Sequence, residues 1–502
     1  MLIITLAAIL SKIFQASLKT GKFPKIWKEA NVTPIFKGKG KRCDSSNYRP
    51  ISLTAVPCKI MEKLVKNVMV RHLINNDLLS KHQHGFMRGK SCLTNLLECL
   101  DIITEVINRG FFVILIFLDF AKAFDCVDHQ KLIVKLIAFG FSGELLDWLI
   151  DFVRDRRQRV IIGNSASEWS NVGSGVPQGS VLGPLLFLIF INDMPDLLYN
   201  ICKLFADDSK LIGIIRNELD RKTLQDDLTR LANWAKEWSM SFNYGKCKCM
   251  QIGNKSTNLF APFTMIDPLT NEVHFIAETT NERDLGIQIK HNLKWDLQCI
   301  LAADKANKML GTLKKTFKFW TIRSLKILYT SYIRPHLEYA CQAWNPYHKK
   351  DINRLESIQR RATKMCHELR NLEYDERLKV LNLTRLSDRR KRGDAIQAFK
   401  FHKGFNKISW YHPNKAPTSI ELPGPAGSTR TYNHRLYEQF TKCKARENFF
   451  SNRIVEMWNK LPPKIVDSAT VNGFKNRYDK RNNQSTIATT ARILPFSGLA
   501  TV

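Results

Sequence analysis

Acidic residues are in short supply in this chain, with 46 Asp and Glu set against 77 Lys and Arg for a formal charge of +31. That imbalance excludes an acidic solvating chain and points to a polyanionic partner, because Lys and Arg facing phosphates release counterions on binding. Also missing is an apolar run of membrane-spanning length. Met1 to Leu10 is apolar but too short and has no basic lead-in, so it reads as the start of a helix, and no membrane partner is expected. The twelve cysteines contain no CxxC spacing, only Cys247 and Cys249 on either side of Lys248. This argues against a zinc knuckle or a disulfide scaffold and for reduced thiols inside a cell, in the nucleus or the cytoplasm. Nor is there an internal repeat.

What is present is 502 residues, 44% of them apolar, enough to bury two or three cores. The basic excess is uneven, since residues 291–502 carry 40 bases and 17 acids. The bulky run Phe111 to Leu118 lacks polar alternation and reads as a strand covered on both faces, with Asp119 where it emerges. Leu204-Phe205-Ala206 ends on Asp207-Asp208, and Lys210 to Ile215 follows, which is the pattern of a hairpin with acid at its tip. Adjacent carboxylates repel unless a cation or solvent intervenes, so the pair is either a wet turn or a metal site. Between the acids, the glycines of Ser174 to Pro184 permit close approach of backbone to a flat ligand, or form an ordinary loop before the buried helix expected over Leu185 to Asp193. No His or Cys lies in these three segments, and the hard oxygen donors suit magnesium better than zinc.

In order and spacing, FLDFAKAFD at Phe117 to Asp125, SGVPQGSVLGPLLF at Ser174 to Phe187 and FADD at Phe205 to Asp208 resemble the palm of a reverse transcriptase. The nearest likeness is to non-long-terminal-repeat retrotransposons of the jockey type. Further matching blocks lie at Trp27 to Lys37, Asn47 to Leu53 and His84 to Ser91. The resemblance implies an α+β right-hand polymerase fold with fingers, a palm built on an antiparallel sheet, a helical thumb and a basic C-terminal region. The expected ranges are a helix over 1–19, fingers and palm over 20–290, thumb over 291–400, a Pro- and Gly-rich linker over 401–430 and a basic tail over 431–502.

Carried over by position, Asp119, Asp207 and Asp208 become catalytic carboxylates. With the Phe120 carbonyl, they are expected to hold two Mg²⁺ ions, or Mn²⁺ in their place. Phe124 stands where the family sets a ring beneath the incoming sugar, though alone it reads as a core aromatic. Gln178 and Gly179 match the position packed against the nascent base pair, a local backbone cap being the alternative. Lys37 and Arg49 match the basic residues that hold the triphosphate, unless they are merely solvated. Lys246 aligns with the lysine that protonates pyrophosphate, with Lys248 as its competitor. The block Glu282 to Ile289 resembles the primer grip, Ile333 to Ala340 the thumb, and Asn353 to Arg370 a basic helix.

The implied activity is RNA-directed DNA synthesis from an RNA template, a DNA primer and dNTPs, with access to the nucleus. The rival reading is a catalytically silent nucleic-acid-binding relic of such an element, and a maturase or telomerase relationship is a lesser one. Only about twenty residues precede the first matching block, so the chain is expected to lack the N-terminal endonuclease of these elements and not to cut its own target.

Overall fold

The computed structural model describes residues 2–38, 40–253, 261–267, 269–412 and 435–491; residues 413–434, which hold most of the expected linker, lie outside them. Helices and strands are interspersed up to Lys290, and the described elements after it are all helical, giving an α+β structure. The described residues fall into two compact units, the first formed by 1–88, 114–250 and 256–279 and the second by 89–113, 251–255 and 280–502.

The first unit is organised by the strand Phe112–Leu118, whose bulk and β-branching suit a sheet interior. Val113, Ile114, Leu115, Ile116 and Leu118 are all buried. Its sheet has five strands in the order Ala277–Glu278, Lys248–Ile252, Phe112–Leu118, Asp208–Ile215, Ile201–Phe205. Ile201–Phe205 and Asp208–Ile215 pair antiparallel, whereas the edge pair of Ala277–Glu278 with Lys248–Ile252 is parallel. The sheet is therefore mixed rather than wholly antiparallel. A second sheet pairs Glu29–Phe36 antiparallel with Tyr48–Leu53 and parallel with Arg156–Ile162.

The helix Gly183–Phe190 is apolar on every side and buried throughout except at Pro184. A helix of that kind must cap its orphan N–H groups inside the protein, since water cannot reach them. The Ser180 hydroxyl accepts from Gly183 N–H at 2.9 Å, and one Glu62 carboxylate oxygen accepts from Val181 and Leu182 N–H at 2.7 and 2.9 Å.

The second unit is mainly helical. Its hairpin, Asn281–Asp284 with Ile287–Lys290, turns at Leu285 and Gly286, both with positive φ as a two-residue type I′ loop demands. Gly286 serves the turn, and its bare Cα lies against the Tyr339 ring, where a Cβ would stand 3.0 Å from Cε1. Asp296–Thr316, Ile322–Leu328 and Arg334–Glu338 follow as helices, with a π turn at Tyr329–Ile333. The basic helix runs Lys349–Ala362, starting and ending earlier than its charge pattern suggests, and Arg354, Arg360, Arg361 and Lys364 are exposed.

Most enclosed is Cys92–Asn108, a helix opened by a Ser91/Thr94 capping box and buried continuously from Thr94 to Val106. Its acids need internal partners. Glu98 accepts from Ser409 N–H at 2.8 Å, Asp101 from Tyr411 N–H at 2.7 Å, and Arg446, wholly buried, meets Asp101 at 2.6 Å and Glu105 at 3.3 Å. Within 435–480 the buried residues include Arg446, Phe449, Phe450, Ile454, Val455, Trp458, Phe474 and Tyr478, whereas 403–412 run along the surface of the unit.

Candidate active site

Asp119 directly follows the buried central strand. Its carbonyl accepts from Asn243 N–H at 2.7 Å, and Ala121 N–H donates to Ser241 O at 2.9 Å. These bonds flank an antiparallel bridge between Phe120 and Phe242, whose rings stack 4.6 Å apart. In such a bridge the hydrogen bonds come from the neighbours, which leaves the Phe120 carbonyl outside the ladder. The backbone at the strand exit is thus pinned while the Asp119 side chain stays half-exposed. Lys246 Nζ donates to Asp119 Oδ2 at 2.9 Å, whereas Lys248 Nζ reaches only the Gly245 carbonyl at 3.5 Å. Of the two competing lysines, Lys246 is the one at the carboxylate.

The second acid sits at the tip of the adjacent hairpin. Phe205 pairs with Asp208, so Ala206 and Asp207 form a two-residue loop. Ala206 has φ +55° and Asp207 does not lie in the positive region, the sign pattern of a type II′ turn, whose first position normally takes glycine. Alanine there costs on the order of 1 kcal/mol. Burial pushes the Asp207 carboxyl up from its ordinary value; the Asp119 charge pushes the same way and Arg49 opposes. Asp119 and Arg49 both lie within electrostatic reach of Asp207, and Asp208–Ile215 is the sheet neighbour of Phe112–Leu118.

Asp208 opens its strand and is exposed. Among the described residues no group of three His, Cys, Asp or Glu side chains is gathered as a metal site. Asp119 and Asp207 are both oxygen donors, as magnesium requires. Mg²⁺ commonly takes one or two protein carboxylates and completes its shell with water and substrate phosphate.

On the nucleotide side, the Phe124 ring stacks on Phe187 at 4.4 Å and is half-buried, while its carbonyl accepts from Val176 N–H at 2.8 Å. The Gln178 amide donates to Asp125 Oδ1 at 3.2 Å, and its carbonyl accepts from Ser52 N–H at 2.7 Å. Gly179, at φ +116°, lies so close to the Ser52 carbonyl that a Cβ would stand 2.4 Å from it. Both residues thus lock the loop to the strand Tyr48–Leu53. Burial raises the Asp125 carboxyl, against the Gln178 bond and the Lys122 and Lys37 charges. Lys37 Nζ itself donates to the Ser46 carbonyl at 2.8 Å, on an exposed edge.

Residues 37–294 match the profile of the family described as "Reverse transcriptase (RNA-dependent DNA polymerase)", slightly more than half of the chain. The chain belongs to the reverse transcriptase family. Several of its relatives are named as RNA-directed DNA polymerases of mobile elements. It is 28% identical over 416 residues to the "Probable RNA-directed DNA polymerase from transposon BS" of Drosophila melanogaster, covering 78% of this chain and 45% of that protein. To the RNA-directed DNA polymerase from mobile element jockey of the same fly it is 30% identical over 256 residues, 49% of this chain and 28% of the relative. The chain therefore spans less than half the length of these relatives. Among solved structures, apo telomerase from Candida tropicalis aligns with a TM-score of 0.41 at 10% identity, covering 75% of this chain and 66% of that one.

Two residues at this reverse transcriptase site escaped the sequence reading. Glu62 is an acid on the otherwise apolar buried face formed by Met61, Val65 and Met69, and that misplacement is itself a signal. Gln83 stands one position ahead of the matching block that begins at His84, and nothing local marks it.

Proposed function

We propose that this chain performs RNA-directed DNA synthesis for a retrotransposon without long terminal repeats, extending a DNA primer on an RNA template with dNTPs. The observation that supports the reading is that Asp119 stands at the exit of the central strand and Asp207 in the loop of the hairpin whose strand Asp208–Ile215 neighbours it in the sheet. Residues 20–290 act as fingers and palm, 291–400 as thumb, and 431–502 as a basic tail.

Asp119 and Asp207, with the Phe120 carbonyl and with Asp208 nearby, would hold a pair of Mg²⁺ ions, or Mn²⁺. When bound, these supply a lowered pKa at the primer 3′-hydroxyl and neutralise charge on the triphosphate. The protein's own contribution is positional. Arg49 and Lys37 draw in the triphosphate, Gln178 and Gly179 shape the wall against the new base pair, and Phe124 blocks a 2′-hydroxyl. Lys246, bonded to Asp119 in this structure, carries a proton that pyrophosphate takes as it leaves. The exposed bases of Lys349–Ala362 track the nucleic-acid backbone, which makes binding sensitive to salt.

The test is primer extension on an RNA template by the purified chain and its Asp207→Asn variant, with template binding measured in parallel. Extension should disappear in the variant while RNA affinity stays within about twofold, because the substituted carboxyl faces the site and not the basic surface. Undiminished synthesis by the variant overturns the reading. Binding without extension by the wild type favours the silent relic instead.

A further inference from the structure

We propose that Gln83 is a positioning residue that holds Asp207 in place by clamping the strained residue before it; the inference rests on the polymerase reading above. The segment His82 to Gly85 lies against the hairpin as an added strand. His84 N–H donates to Leu204 O at 2.9 Å, Leu204 N–H donates to His82 O at 3.0 Å, and Gln83 forms a parallel bridge with Leu204. Through this contact the Gln83 side chain, 2% exposed, reaches the loop. Its Oε1 accepts from Gly85 N–H at 2.7 Å and from Ala206 N–H at 3.0 Å, using both lone pairs of one oxygen.

Ala206 is the residue held, and it has a left-handed backbone that only glycine adopts freely. A two-residue loop has no slack, so a change at Ala206 is passed directly to Asp207. Gly85 completes the clamp. Its φ lies outside the positive region, so glycine is needed there for space: a Cβ would stand 2.4 Å from Ala206 N and 3.0 Å from Phe205 C. The strand, the amide acceptor and the missing side chain converge on one peptide of the loop, and that peptide leads into the catalytic carboxylate. A residue needed only for stability would have no reason to place its acceptor on the single left-handed alanine of this turn.

The experiment compares the full chain with Gln83→Met, which keeps the bulk and removes the acceptor, and with the double variant Gln83→Met/Ala206→Gly. Readouts are kcat and dNTP KM in primer extension, RNA-template affinity, urea unfolding, and Mn²⁺ binding by electron paramagnetic resonance without nucleotide. Gln83→Met should lower kcat roughly ten- to hundredfold, as a carboxylate displaced by about an ångström does, with dNTP KM and RNA affinity within about twofold. Mn²⁺ binding should weaken. Ala206→Gly, which removes the cost of the left-handed backbone, should restore part of the kcat lost in Gln83→Met. Wild-type kcat and Mn²⁺ affinity in Gln83→Met would overturn the proposal. So would a loss that only follows the fraction unfolded and is not rescued by glycine at 206. If the wild type itself fails to extend primers, the polymerase reading falls, and the Mn²⁺ titration still decides whether Gln83 positions Asp207.

Discussion

Arg446→Met should destabilise the helical unit as strongly as truncating one of its large buried apolar side chains, and the structure sets the size. Arg446 is wholly buried, with Nη1 2.6 Å from Asp101 Oδ1 and 3.1 Å from Thr104 Oγ1, and Nη2 2.6 Å from Gln439 Oε1. Methionine fills much of the volume but leaves Asp101 enclosed without its cation, and breaking a buried pair from one side costs about 3–5 kcal/mol. The loss is bounded because Asp101 keeps the N–H groups of Tyr411 and His412, at 2.7 and 3.2 Å, and Glu105 keeps Arg109 at 2.7 Å.

A pH dependence follows with a definite sign. Burial already pushes the Asp101 carboxyl above its ordinary value, against Arg446 and the two N–H groups. Without Arg446 it rises further, so the folded state binds this proton more tightly than the unfolded chain. Stability then falls as pH rises from the unfolded value toward the folded one. The deficit is complete above the folded value and shrinks as pH drops below it. Urea unfolding of the full chain at several pH values, for Arg446→Met, Asp101→Asn and the double variant, measures this. The double variant should be more stable than the sum of the single losses implies, by at least about 1 kcal/mol. An Arg446→Met loss below about 1 kcal/mol at neutral pH, or strict additivity, would refute the argument that an uncompensated charge sets the cost.

Two further outcomes concern the active site. Lys246→Ala should lower kcat by roughly 10²–10⁴ if the lysine supplies the proton to pyrophosphate, and Lys248→Ala should leave kcat within about twofold; single-turnover extension separates the two. Phe124→Val, which withdraws the ring from its stack on Phe187, should raise ribonucleotide use relative to deoxynucleotide roughly ten- to hundredfold, read from the ratio of kcat/KM values; an unchanged ratio would return Phe124 to the role of a core aromatic.

Which parts of this site were legible along the chain follows from the range of the forces involved. The buried strand ending at Asp119, the hairpin tipped by Asp207 and the apolar helix after the glycine loop are all announced by their own residues. Burial on two faces demands an unbroken apolar run, so neighbours suffice there, whereas the turn types at Ala206 and Leu285 hold non-glycine residues at positive φ that no local pattern marks. The resemblance of the motif blocks to reverse transcriptases carried the α+β class and the family, and it marked the acids proposed as catalytic.

Tertiary structure decided the rest, because the deciding partners lie far away in sequence. Asp119 takes Lys246 rather than Lys248. Gln178 spends its amide on Asp125, and Glu62 caps a loop that begins more than a hundred positions later. The helix Cys92–Asn108 reads locally as one more apolar stretch, yet its acids are neutralised by groups from residues 409 to 446. A buried polar group must find a partner wherever the fold provides one, and no periodicity records which residue that will be. That is why the acids of this site were visible in the sequence and the oxygen of Gln83 that clamps Ala206 was not.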